Sequence, residues 1–342
     1  MPDPHPVPAM PPDVGDHAVA PVAAGGGALS NPFVTEALAA ARAYALGSLA
    51  PETRRAYAAD WRDWSAWCRL AGATPLPADP VAVAGYLAWL AARFSRAVLD
   101  RRLDAIGHAH RIAQLPWSAG HPALRTTLRG IHRQHGSATR KSAALTSVEL
   151  RKLVGTCTGD ATGQRDRALL LLGFAGALRR SELVAVDREH IRITEAGLRL
   201  HIPTSKTDAE GRGAELGIGR GRRAETCPVR ALETWLDTSA CRFGPVFRKV
   251  DRWGNIEHRR LGGDAVREIL LRRARLAGLT VDASERLSPH GLRAGFVTEA
   301  YIAGARDEQV MEHTRHRDLK TMRGYVRRAR LIADSATKLV DL

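Results

Sequence analysis

Arg179, Lys206, His290, Arg293, His316 and Tyr325 follow one another in the second half of the chain, and their types could bind and attack a phosphate. Arg179 closes an apolar run, Ala168 to Leu178, and opens the segment Arg179-Arg180-Ser181-Glu182-Leu183. A planar guanidinium there could grip two phosphate oxygens while Glu182 steadies it. Taken alone, it reads first as a helix-ending arginine paired with Glu182 at i+3. Lys206 falls in a turn between two strand patterns, where a lysine is ordinarily solvated but could protonate a leaving oxygen. His290 and Arg293, in His290-Gly291-Leu292-Arg293, share one helix face, although such a pair is expected by chance in a chain with 13 histidines. His316 could donate to a non-bridging oxygen, or cap a helix. Tyr325 lies between Arg323 and Arg327, which would favour a phenolate; the default for a tyrosine is apolar area with one polar tip.

The 342 residues that must position these groups suit two domains. Residues 1–31 hold seven of the 18 prolines and the run Gly25-Gly26-Gly27, the composition of a disordered tail. Residues 32–135 are patterned as a helical domain, with apolar inner faces and basic outer ones that could press onto a phosphate backbone. Pro51 suits a first helical turn, and Tyr57, Trp61, Trp64 and Cys68 follow at helical steps. Asp79-Pro80 is a cap before Val83, Leu87 and Leu90; Leu99, Leu103, Ile106 and His110 form another stripe. Arg54, Arg55, Arg101, Arg102, Arg129 and Arg133 lie opposite these stripes, where each could meet phosphate or simply water. The aromatic spacing is that of a core. Residues 136–145, including the basic Lys141, have the polar, aperiodic look of a linker. Residues 146–342 begin at a capping box, Thr146 to Glu149. They continue helically to about Val186 and then alternate as three strands over Ile191 to Ile218. From Pro228 they are again mostly helical. The class is mainly α with a small three-stranded antiparallel sheet.

A formal net charge of +15 favours a polyanionic partner, with double-stranded DNA ahead of a membrane surface. Ala168 to Leu178 is too short to span a bilayer, and the N-terminus lacks a signal-peptide pattern. Cys68, Cys157, Cys227 and Cys241 are scattered, which suggests neither a zinc site nor a disulfide framework. The expected setting is cytoplasmic, with no membrane association.

The order Arg179, Lys206, His290-x-x-Arg293, His316 and Tyr325, with the tyrosine nine residues after His316, resembles the tyrosine recombinase (phage integrase) family. The segment Thr53-Arg54-Arg55-Ala56-Tyr57 through Trp67-Cys68, with Pro77-Ala78-Asp79-Pro80, is similar to the Cre-like branch. The resemblance spans roughly residues 33–340. It implies a SAM-like core-binding domain and an α+β catalytic domain forming a C-shaped clamp on DNA. It also implies strand cleavage without metal, ATP or cofactor, through a 3′-phosphotyrosyl bond to Tyr325. Arg179 and Arg293 would hold the phosphate, His290 would move the nucleophile's proton, and Lys206 would protonate the leaving oxygen. His316 would add a hydrogen bond, and Glu182 would support the site from behind. The apolar stripe Leu331, Ile332, Ala336 and Leu339 would be a tail helix donated to a neighbour, giving a cyclic tetramer on two short inverted-repeat sites. The alternative for that stripe is docking on its own domain. Arg315 and Asp318 stand where the family usually has a glycine and a small residue. Competing readings are a catalytically silent DNA-binding regulator, a type IB topoisomerase and a protelomerase. The DNA target, and whether the role is integration, excision, dimer resolution or transposition, are not encoded in these motifs.

Overall fold

The computed structural model describes residues 36–37, 39–40, 49–136, 140–203, 213–316, 318–319, 322–325 and 337, and every structural statement below concerns these. The N-terminal tail, Lys206 and the stripe Leu331, Ile332, Ala336 and Leu339 lie outside the described residues. The chain divides into two compact units, Met1–Thr139 and Arg140–Leu342.

In the first unit, α1 (Pro51–Ala71), α2 (Pro80–Leu90), α3 (Arg96–Ile112) and α4 (Pro122–His135) surround one core. Helix α1 starts with proline in its first turn and stops at Gly72, whose left-handed backbone (φ 64°) lets its N–H reach the Cys68 carbonyl. The Asp79 side chain accepts from Val81 and Ala82 N–H and caps α2, as its place before Pro80 suggests. Trp64, Cys68, Val83, Leu87, Leu99 and Ile106 are buried together. Trp64 packs 5.1 Å from Tyr86, ring to ring, so the aromatic spacing serves the core.

The second unit is built on α6 (Ala161–Ala175), which follows α5 (Ser147–Gly155). The Leu169 to Leu172 run is buried all round, which is why this helix has no solvent face. Around it lie α7 (Arg180–Val184), α8 (Pro228–Thr238), α9 (Gly263–Leu276), α10 (His290–Ile302) and α11 (Asp307–Thr314). Strands β2 (Ile191–Ile193), β3 (Gly197–Ile202) and β4 (Ala214–Gly219) form the expected antiparallel sheet, with Leu200 opposite both Ile191 and Leu216. Lys206 belongs to the connection between β3 and β4.

Two pairings depart from the expectation. Residues 248–260 are not helical but form a hairpin, β5 (Arg248–Val250) with β6 (Ile256–Arg260). Its turn is closed by Asp251, whose Oδ1 accepts from Trp253 and Asn255 N–H. The stretch read as a linker is also structured from β1 (Lys141–Ser142), which pairs in parallel with β7 (Glu285–Arg286). Leu145 is fully buried, and its N–H donates to the Gly291 carbonyl at 2.9 Å. This chain lies so close to α10 that a Cβ on Gly291 or Gly295 would overlap the Ala143 or Leu145 carbonyl oxygen.

Gly295→Ala is therefore expected to cost about 1–3 kcal/mol through overpacking against backbone. Urea denaturation followed by far-UV circular dichroism measures this; an unchanged midpoint would show that the contact yields freely.

Candidate active site

The site is assembled from the ends of elements. Arg293, on the first turn of α10, is only 1% exposed. Its Nη1 donates to the Ala177 carbonyl at 2.6 Å and its Nη2 to the Thr314 carbonyl. Both acceptors sit where a helix stops: Ala177 just beyond α6 with φ 44°, Thr314 closing α11 before Arg315 with φ 57°. Carbonyls at helix C-termini lack intrahelical partners and carry the negative end of the dipole. A buried guanidinium bridging two of them is thus held in place while its own charge is stabilised. Burial first, and then the nearby Arg179, lower its pKa to about 10, so it stays cationic at neutral pH.

Arg179 caps α7. Its backbone N–H donates to Glu182 Oε2 at 2.9 Å and its Nη1 to Glu182 Oε1 at 2.6 Å. The i+3 pairing read from the sequence is therefore present, and it orients the arginine. Glu182 is 5% exposed and receives a second guanidinium, Arg315 Nη2, at 2.9 Å. Burial alone would raise its carboxyl, but Arg315 and the Arg179 donors outweigh that and hold it below the usual carboxylate range. Arg315 was visible in the sequence only as a departure from the family pattern; its contact with Glu182 bridges 133 positions, for which no local signal exists.

His290 begins α10, and its Nε2 lies 2.6 Å from the Tyr325 hydroxyl. Tyr325 is carried by helical residues 322–325, which are anchored by buried Met322 against Val297 and Val310. The His316 ring lies 6.2 Å from the Tyr325 ring. The Thr314 hydroxyl gives its proton to the Val310 carbonyl, so its oxygen accepts from His316 Nδ1 at 2.6 Å. The neutral His316 ring then has its lone pair on Nε2. Burial first, followed by Arg293 and Arg179, lowers its pKa from 6.5 to about 4. His313 is not part of this cluster: its Nε2 donates to the Ala175 carbonyl at 2.8 Å, and its ring stacks on Phe296.

Other expectations need adjustment. Arg323 does not serve Tyr325, because its guanidinium is bound to Asp307. In the first unit Arg102 is 6% exposed and is held by Asp63 at 2.6 Å and by the Tyr86 hydroxyl, so it belongs to the core and not to a basic outer face. Arg101 makes a two-pronged pair with buried Asp60, at 2.7 and 2.9 Å. Arg54, Arg129, Arg133 and Lys141 are exposed, and exposed Arg55 pairs with Glu52.

Residues 143–330 match the sequence profile of the phage integrase family. The chain is similar to an integrase/recombinase XerD homolog of Selenomonas ruminantium, 35% identical over 295 residues covering 84% of this chain and 85% of the relative. It is also similar to the recombinase Cre of Escherichia phage P1, 24% identical over 289 residues covering 78% and 81%. Among solved structures, its fold is similar to the Tn1549 transposon integrase in complex with transposon right-end DNA. The TM-score is 0.58 at 13% identity, over 87% of this chain and 98% of that one. It is likewise similar to the XerH site-specific recombinase in a post-cleavage complex with palindromic difH substrate, with a TM-score of 0.57 at 16% identity over 76% and 72%.

The depressed His316 has a consequence for stability. Between 6.5 and about 4 the unfolded chain carries this proton and the folded one does not. Stability is accordingly present above 6.5 and falls as pH drops towards 4; buried His313, also lowered, acts in the same direction. The urea midpoint is expected to decline over this window, with a shallower slope in His316→Gln. Identical slopes in the two proteins would refute the assignment.

Proposed function

Because the chain belongs to the phage integrase family of tyrosine recombinases, we propose that it is a site-specific DNA recombinase whose nucleophile is Tyr325. The observation that carries this reading is the 2.6 Å contact between His290 Nε2 and the Tyr325 hydroxyl, beside the Arg179–Glu182–Arg293 cluster.

In the proposed reaction Tyr325 Oη attacks the scissile phosphorus as its proton passes to His290 Nε2. The bond from phosphorus to the 5′ oxygen breaks, and Lys206 supplies the proton that this oxygen takes up. A 3′-phosphotyrosyl bond and a free 5′-hydroxyl result. Rejoining is the same exchange in reverse, so the phosphoester is conserved and neither ATP nor metal enters. Arg179 and Arg293 hold the non-bridging oxygens as their charge grows; losing one such fixed donor typically costs ~100- to 1000-fold in rate. His316 can donate through Nε2 only when it is protonated, which an incoming phosphate favours and the DNA-free protein opposes.

The DNA partner is supported by the net charge of +15 and by exposed Arg54, Arg129, Arg133 and Lys141. Assembly as a cyclic tetramer on two sites is proposed through the tail stripe Leu331, Ile332, Ala336 and Leu339. A cavity of about 360 Å³ in the catalytic unit, whose lining combines Leu150, Leu171, Phe174 and Phe296 with the polar Arg151 and His313, offers the apolar side chains of such a stripe a place to bury. Head-to-tail donation that closes into a ring is a self-limiting assembly. No helix of the described residues is long and apolar enough to cross a membrane.

Incubation in EDTA with DNA from the protein's own genetic neighbourhood is expected to give a denaturant-resistant, 3′-linked adduct that Tyr325→Phe abolishes. An adduct that survives Tyr325→Phe would sink the proposed nucleophile. Tight, sequence-specific binding with no adduct would favour a silent regulator, and relaxation of plasmids lacking a recognition site would favour a topoisomerase.

A further inference from the structure

Arg315 is an expensive residue for its position. Its backbone is left-handed, with φ 57° and ψ 40°, a conformation that closes helices well when the residue is glycine and strains any L side chain. Its side chain is only 12% exposed, and its Nε–H is buried with no acceptor. Capping α11 does not call for an arginine. Three unfavourable features at one position point to a role outside local stability.

Arg315 Nη1 donates to the His313 carbonyl at 3.1 Å, a contact within its own turn, and its one long-range partner among the described residues is Glu182. Each oxygen of that carboxylate already accepts one hydrogen bond from Arg179, from its backbone N–H and its guanidinium, so Arg315 is not its only partner. The difference Arg315 makes is one of charge. Arg179 paired with Glu182 alone is a neutral couple, and the carboxylate behind the guanidinium would offset part of its attraction for an approaching phosphate. Adding Arg315 gives a buried triad of net charge +1, in surroundings where water screens little.

We propose that Arg315 is a positioning residue that offsets the charge of Glu182, so that Glu182 can orient Arg179 without cancelling its attraction for the scissile phosphate. The inference rests on the strand-cleavage reaction proposed above. It assigns Arg315 no contact with the phosphate: it acts through Glu182, whose Oε2 it shares with the Arg179 backbone N–H.

The test is a charge-balance cycle on a nicked duplex carrying the mapped cleavage site, measured as single-turnover formation of the covalent adduct. Arg315→Gly suits the left-handed backbone and so keeps the fold, which thermal melting checks. It is expected to slow cleavage about tenfold or more at saturating protein, a coupling within the range seen for contacting charged groups. The double variant E182Q/R315G retains an amide oxygen for Arg179 but removes the uncompensated negative charge, and it is expected to recover most of that loss. An arginine that merely fastens α11 to α7 predicts no recovery, because the double variant lacks the same tie. Wild-type rate in R315G, or a double variant as slow as R315G or slower, overturns the inference while leaving the reaction intact. Failure of the wild-type protein to form any adduct overturns the reaction itself, and the inference with it.

Discussion

The catalytic unit depends on one buried cation. Arg293 remains charged at 1% exposure with two carbonyls at helix ends turned towards it, Ala177 just beyond α6 and Thr314 closing α11, and with the Glu182 carboxylate nearby. Removing a guanidinium from water is costly unless its donors are met, and helix C-termini supply acceptors that have no other use. The dependence runs both ways. Helices α6 and α11 can stop where they do, with Ala177 and Arg315 in left-handed conformations, because a fixed donor lies between them. The residues that follow these stops include Arg179 and His316, so the placement of three candidate groups follows from a single bridging interaction.

Around that centre the charges are arranged against local comfort. Arg179, Arg293 and Arg315 converge with a single carboxylate, Glu182, among them, and His316 is kept neutral by the same burial and positive field. A stable core would not gather cations in this way. A cleft that must receive a phosphate and the extra charge of its transition state is served by it, since the anion then completes the balance.

Much of this was legible in the sequence. The apolar stripes of the first unit, the Asp79 cap, the buried Leu169 to Leu172 run and the three-stranded sheet all have local periodicity, and all appear where the pattern puts them. The order of the candidate catalytic residues was legible only as a resemblance, because each residue alone has an ordinary explanation. Long-range pairings were not legible. A two-residue strand such as β1 has no period to detect, and its partner β7 lies on the far side of the unit's sequence. The β5–β6 hairpin was hidden by its many charged residues, although the Asp251 to Asn255 turn carries recognisable turn chemistry with Gly254 at φ 90°. Arg102 shows the limit of reading exposure from charge: nothing nearby in sequence reveals that Asp63 and Tyr86 draw it inward.

The chain entering the catalytic unit is bound to the helix that carries His290 and Arg293, through the ladder at Lys141 and Ser142 and the close approach of Ala143 and Leu145 to Gly291 and Gly295. This sets where the protein can be divided when its parts are exchanged with those of relatives. A graft joined at the start of α5 would bring in foreign residues at the positions that fit the two glycines, and would disturb α10 without altering any of its residues. A junction placed among residues 136–140 keeps that fit intact. The two units are separable modules only if the last few residues before α5 travel with the second.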